Sequence, residues 1–376
     1  MRGTELCGSA HFELYFRRNP RGGGFTVFAG TAAVLEILRR SAFEGTVRAV
    51  PEGAPVFPGE PVLSVQSEPA SFLKIAPELL RAVCDESAAA TVSARLSLAA
   101  EGAEVQYAEQ SRHRLANNAF VYCFADERGA FEYLCREYAD DCVLPVDTFS
   151  TLKSGIPYAI AVLQAMRSGH RAVKISSGDI AYQAIHARRL LDEAGLPDCR
   201  IHAGGALDEF LIRDLKRQGA PIDVFCVDKP AMCNEFTARF AVSDADGLPR
   251  MTRSQNIDKI TPPAPKQLWR ILDNNGKALA DVVSLYDEKI RTDAPYTLFD
   301  PHHPWKRREV SDFTAVPLLH CIWADADMLE HGRNKPQTAT IAQLWDEVLR
   351  FENPHKYYVD YSQPLWDLFQ RCMAGD

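Results

Sequence analysis

Between Cys142 and Val227 the chain repeats one pattern: a short β-branched run, a turn, then apolar residues at helical spacing. Residues 143–146 run into Asp147 and Thr148, and residues 157–168 follow with Ile160, Leu163 and Met166 on one helical face. Residues 172–175 run into Ser176, Ser177, Gly178 and Asp179, and a helix is predicted from about 180 to 193, closed by Gly195 and Pro197. Residues 201–203 lead to Gly204 and Gly205, then a helix over about 207–218 closed by Gly219 and Pro221, and residues 222–226 form the next strand. Four strands alternating with helices over short loops predict parallel β/α crossovers. In such architectures reactive groups gather on the loops after the carboxyl ends of the strands. That singles out Asp147, residues 176–179, Gly204 with Gly205, and the residues after Cys226.

The flanks read differently. Residues 11–16, 25–28, 46–50 and 61–65 are short β-like pieces between Gly and Pro turns, whereas 73–99 are Ala-rich and helical. Strand-and-turn patterns return over 251–290 and 317–327, and two amphipathic helical stretches close the sequence from about 341 to 372, with Trp345, Leu349, Leu365 and Trp366. This is an α+β layer contributed by both chain ends. The expected division is a cap of 1–75 with 250–376 and a (β/α) unit of 76–249.

Composition removes several classes of function. With 46% apolar residues over 376 positions the chain can bury a core, so disorder is excluded. Its 42 Lys and Arg against 50 Asp and Glu give a net charge of −8, which argues against nucleic acid as the main partner. No stretch approaches the roughly 18 unbroken apolar residues of a membrane helix, and the first residues lack the apolar core of a signal peptide, so a cytoplasmic protein without a membrane partner is expected. The ten cysteines are scattered without a CxxC pair, which predicts buried reduced thiols rather than a zinc cluster or a redox dithiol.

The strand-end loops carry the candidate chemistry. At 176–179 successive N–H groups at a helix start favour an anion, with Ser177 expected to cap the helix and Asp179 to complement its dipole; a plain helix cap explains the same residues. Gly204 and Gly205 suit either close approach of a ligand to the backbone or a tight turn. Asp147 and Thr148 suit a ribose, a metal or a capped loop. Arg17, Arg18 and Arg21 beside a glycine turn suit an anionic substrate or a solvated hairpin, and the adjacent His302 and His303 face different ways, which argues against a metal site there. No metal ligand set is expected.

Taken together, residues 14–20, 22–30, 50–53, 56–61, 146–157, 177–179, 207–209, 259–267, 300–306 and 352–355 resemble nicotinate phosphoribosyltransferases in content and in order. The resemblance implies an irregular (β/α) barrel of the type II phosphoribosyltransferase kind, with an α+β cap built from both chain ends, and a homodimer. It implies a reaction of nicotinate with phosphoribosyl pyrophosphate to give nicotinate mononucleotide and pyrophosphate, with Mg2+, coupled to ATP through a phosphorylated histidine. The phosphoribosyl-binding positions carried over are Asp147, Thr148, Lys174, Ser177, Gly178, Asp179, Gly204 and Gly205.

The chain departs from the family at several of these places. An aromatic-bearing first helix precedes the family's matching segment. The family's arginine-pair segment reads Gln106-Tyr107-Ala108-Glu109-Gln110-Ser111, and the position of its catalytic histidine reads Asn118. Lys174 stands for an arginine and Ser176 for a carboxylate. After Phe225 a glycine-rich phosphate loop is missing, and the text passes directly to residues 228–232. His113, flanked by Arg112 and Arg114, reads as a surface loop residue, and His202 as a core or rim histidine. Two functions stay open: a shortened salvage enzyme with little turnover as a lone chain, or a catalytically inert relative that binds ligand or partners a complete subunit. A truncated gene product is the third reading.

Overall fold

The computed structural model describes residues 7–19, 24–107, 118–166, 169–228, 238–255, 259–301, 303–324, 357 and 359–375. The chain divides into two compact units, 1–94 with 232–376, and 95–231. One helix, Pro69–Ala100, runs through the expected boundary at residue 75.

Unit 95–231 is built on a five-stranded sheet in the order Glu104–Tyr107, Val224–Val227, Arg200–Ala203, His170–Ile175, Asp141–Pro145, every neighbour parallel. Alternation places Leu144, Val173, Ile201 and Phe225 on one face. Helices Glu127–Glu137, Ile156–Ala165 and Ile180–Glu193 pack on these strands, and an apolar face is what such helices can bury. The opposite face carries Lys174, His202, Glu104 and Cys226. Among the described residues this sheet is open, with Glu104–Tyr107 and Asp141–Pro145 at its edges, so a closed barrel is not seen. The repeat from 142 to 227 supplies only four strands, and the fifth comes from ahead of it.

Two local expectations change. The predicted helix over 157–168 is the run Ile156–Ala165, entered through a π-turn at Thr151–Gly155. A Cβ at Gly155 would lie 1.9 Å from the Val146 carbonyl oxygen, so only glycine fits this approach. Cys135 and Cys142 are joined by a disulfide, not reduced as the scattered spacing suggested. The turn between helix Glu127–Glu137 and strand Asp141–Pro145 brings their Cα atoms to 5.3 Å, within reach of a bridge.

In the other unit a six-stranded antiparallel sheet runs Leu248–Pro249, Ala238–Ala245, Ala10–Phe16, Pro61–Ser67, Thr46–Ala49, His320–Trp323. Phe12 stacks on Phe72 of the long helix at 3.9 Å between centroids. A second sheet orders Thr314–Pro317, Lys266–Leu272, Ala278–Leu285 and Val359–Tyr361. Its apolar residues Ile271, Ala280 and Val282 pack with Leu298 and Val310 of a hairpin, Tyr296–Asp300 with His303–Val310. Helix Gln363–Ala374 closes the chain, as expected; the other terminal stretch, 341–356, lies outside the described residues.

Helix Thr31–Arg40 was not legible as a helix. Its N-cap, Gly30, has a left-handed backbone and no side-chain cap of its own. The Glu52 carboxylate accepts from the N–H groups of Gly30 (3.0 Å) and Thr31 (2.9 Å) instead. Two buried ion pairs tie strands together in this unit. Lys266 Nζ lies 2.7 Å from Glu13 Oε2, with both side chains fully buried, and Arg270 grips both oxygens of Asp281 at 2.9 and 2.8 Å.

No helix among the described residues is long and apolar enough to cross a membrane.

Candidate functional site

The carboxyl ends of the parallel strands in unit 95–231 bring most of the expected residues together. Asp147 follows strand Asp141–Pro145 and is 8% exposed. Its Oδ2 accepts from the Ser176 backbone N–H and the Ser177 hydroxyl, both at 2.7 Å. One carboxylate thus fixes the turn that leaves the neighbouring strand. Asp179, not Ser177, caps helix Ile180–Glu193, accepting from Tyr182 N–H at 3.0 Å. The exchange follows from reach: the Ser177 hydroxyl is committed to Asp147, while Asp179 directly precedes the first helical turn. Gly178 between them has φ +72°, which glycine adopts without strain. Thr148 offers its hydroxyl to the Pro145 carbonyl only at 3.5 Å.

Gly204 and Gly205 serve packing against this turn. A Cβ at Gly204 would come 2.5 Å from Ser176 Oγ and 2.7 Å from Lys174 Cε, and one at Gly205, whose φ is +94°, 2.8 Å from the Ser176 carbonyl oxygen. The stem of Lys174 crosses over Gly204, and its ammonium makes no ion pair among the described residues. A lysine without a counter-charge beside the Ser176–Ser177 turn is a means of meeting an anion.

Three neighbours were not singled out in the sequence. Glu127, the first residue of its helix, is 3% exposed. Its Oε2 accepts from the Ser154 hydroxyl at 2.8 Å, while Oε1 is buried without a partner. Burial raises its pKa above the usual carboxylate range; the Ser154 hydrogen bond opposes this and the Asp147 charge adds to it. Gln183 accepts from the Thr151 hydroxyl at 2.8 Å, joining the π-turn to the next helix. Cys226 Sγ lies 4.0 Å from His202 Nδ1. Nothing local marks these residues, because Asp126 followed by Glu127 reads only as a helix start.

His202 is in the sheet, as expected of a core residue. Burial, and then the charge of Arg200, push its pKa down to about 3, so the ring is neutral at physiological pH, and its Nε2 is buried without a partner. Burial also raises the Cys226 thiol pKa, so it is no ready nucleophile. Asn118 opens the short helix Asn118–Val121; its side chain, His113 and residues 229–232 lie outside what is described. No three His, Cys, Asp or Glu among the described residues group as metal ligands. In the other unit, His303 Nδ1 meets Asp300 Oδ2 at 2.7 Å; Arg21 and His302 are outside the described residues.

Residues 265–369 match the family model for the nicotinate phosphoribosyltransferase C-terminal domain. The nicotinate phosphoribosyltransferase of Bacillus subtilis is 28% identical over 441 aligned residues, covering 95% of this chain and 89% of its own length. The human nicotinate phosphoribosyltransferase is 23% identical over 503, covering 98% and 93%. Both alignments are longer than the 376-residue chain, so these relatives carry stretches without a counterpart here. The crystal structure of human nicotinic acid phosphoribosyltransferase matches with a TM-score of 0.77 at 20% identity, covering 98% of this chain and 96% of that one. Nicotinate-nucleotide pyrophosphorylase from Pyrococcus furiosus gives 0.67 at 19% identity, covering 92% and 89%.

The chain is a mixed α/β protein whose fold matches those of these two solved structures. The chain is similar to nicotinate phosphoribosyltransferases over nearly its whole length, and its residues 265–369 match that family's C-terminal domain.

Proposed function

We propose that the chain is a nicotinate phosphoribosyltransferase-like protein of NAD salvage, which binds phosphoribosyl pyrophosphate at the strand-end loops and converts it with nicotinate to nicotinate mononucleotide only slowly as a lone chain. The observation that carries this reading is the turn fixed by Asp147, with Ser176 close to the side chain of Lys174, whose ammonium makes no ion pair among the described residues. Backbone N–H groups at a helix start together with a cation form an anion site. Thr148, Asp179, Gly204 and Gly205 complete the proposed phosphoribosyl platform. The finer architecture we assign is an irregular (β/α) barrel with an α+β cap from both chain ends, assembled as a homodimer in the cytoplasm.

Magnesium bound through substrate phosphates asks a protein for only one or two carboxylates, and Asp147 and Asp179 fit that demand at the strand ends. The ion would neutralise the departing pyrophosphate. ATP coupling does not fit in the same way. A carboxamide has no imidazole nitrogen to phosphorylate, so Asn118 supports no phosphoryl-histidine step. Each charge-assisted contact absent from the phosphate cradle removes roughly 1.5 to 3 kcal/mol, which is why turnover is expected to be slow.

One observation favours the alternative of a ligand-binding or heterodimer partner subunit without turnover: Asp147 and Asp179 each already have an oxygen engaged in holding a loop or a helix. The test is incubation of the purified chain with nicotinate, phosphoribosyl pyrophosphate, Mg2+ and ATP, with detection of mononucleotide. Slow product that survives Asn118→Ala and disappears with Asp179→Ala supports the enzyme. Tight phosphoribosyl pyrophosphate binding with no product supports the partner, and neither binding nor product overturns both.

A further inference from the structure

A cavity of about 360 Å3 opens beside the hairpin Tyr296–Asp300 with His303–Val310, within the unit of residues 1–94 and 232–376. Its apolar wall is Leu298 and Phe299, 3% and 4% exposed. Opposite these in register lie Arg308 and Arg307, and the Arg307 guanidinium stands 5.8 Å over the Phe299 ring. Trp305 lines the same cavity with 74% of its surface exposed, the most open large apolar side chain among the described residues. Lys306 completes three consecutive cations, and neither Lys306 nor Arg307 forms an ion pair among the described residues. Of the two acids in the lining, Asp300 is engaged by His303 at 2.7 Å.

The second acid is the unusual one. Asp360 sits on strand Val359–Tyr361 on the side of Val282, which faces the hairpin, and is 2% exposed. Its Oδ1 is buried without a partner although the residue lines the cavity. A carboxyl in that condition costs free energy unless something supplies a hydrogen bond. Burial, and then the Asp300 charge, push its pKa up to about 7 against the opposing charge of Arg308, so it can donate as well as accept.

An open indole face, cations on an extended strand, and a polar group at the end of an apolar wall match three parts of one kind of molecule. We propose that this cavity binds a mononucleotide: the base stacks on Trp305 and meets Asp360 with its polar edge, while Arg307, on the same side of the strand as Trp305, holds the phosphate. All its lining residues belong to the unit of 1–94 and 232–376, and the proposal does not depend on the function proposed for the strand-end loops.

Calorimetric titration of the full chain with AMP, adenosine, inorganic phosphate and IMP tests it. AMP should bind with one-to-one stoichiometry, and Trp305→Ala and Arg307→Glu, both at exposed positions, should each weaken it tenfold or more. Asp147→Ala should leave AMP affinity unchanged while lowering affinity for phosphoribosyl pyrophosphate. Asp360→Asn should shift the AMP-to-IMP preference, which a purely structural role would not move. The proposal is overturned by absence of AMP binding up to millimolar concentration, by adenosine or phosphate binding as tightly as AMP, by an unchanged Arg307→Glu, by an unshifted Asp360→Asn preference, or by loss of AMP binding in Asp147→Ala.

Discussion

Among the antiparallel strands, two buried carboxylates face cations: Glu13 meets Lys266, and Asp281 meets Arg270. At the ends of the parallel strands, Asp147 instead holds a backbone N–H and a hydroxyl, and Lys174 nearby has no carboxylate among the described residues. Opposite charges that neutralise one another in the interior fix strand against strand and leave little field outside. Charges held by neutral donors, or not paired at all, keep their field for something else. The first arrangement belongs to a framework and the second to a binding surface.

The contrast can be broken from either side. The largest effect is expected for Glu13→Gln, which leaves the Lys266 ammonium buried with only carbonyl partners; about 3–5 kcal/mol of stability should be lost in denaturant unfolding, as when one member of a buried pair is removed. Asp147→Ala removes two charge-assisted bonds around a partly open loop and should cost about 2–3 kcal/mol. If its cost exceeded that of Glu13→Gln, the strand ends would be framework and the distinction would fail.

A smaller effect comes from His202. Its folded pKa, about 3, lies below the ordinary 6.5, so the unfolded chain takes up its proton first on acidification. Stability present at neutral pH is therefore lost as pH falls below 6.5 toward 3. At pH 5 this amounts to about 2 kcal/mol, from 1.36 kcal/mol per unit. His202→Gln should flatten the decline between pH 7 and 5 in denaturation midpoints; an unchanged slope would mean that the imidazole reaches solvent or a counter-charge.

The alternation of strand, turn and helix from 142 to 227 was legible because each step is local: β-branched runs make strands, and Gly with Pro stops the helices. The strand-end residues were legible as a group for the same reason. Their individual duties were not. Asp179 takes the cap expected of Ser177 because Asp147, some thirty positions earlier, claims the serine. Helix Thr31–Arg40 escaped because its cap comes from Glu52. Glu127 looked like an ordinary helix start until Ser154 and Asp147 closed around it. The Cys135–Cys142 bridge follows from one turn's geometry, which spacing does not reveal.

The Glu52 carboxylate has a practical consequence. A first turn anchored by a residue more than twenty positions downstream ties two segments into one hereditary unit: transplanting residues 31–40 into a relative, or trimming the loop that carries Glu52, would unravel the other half. Chimeras in this part of the molecule should be cut outside 30–53, never within it.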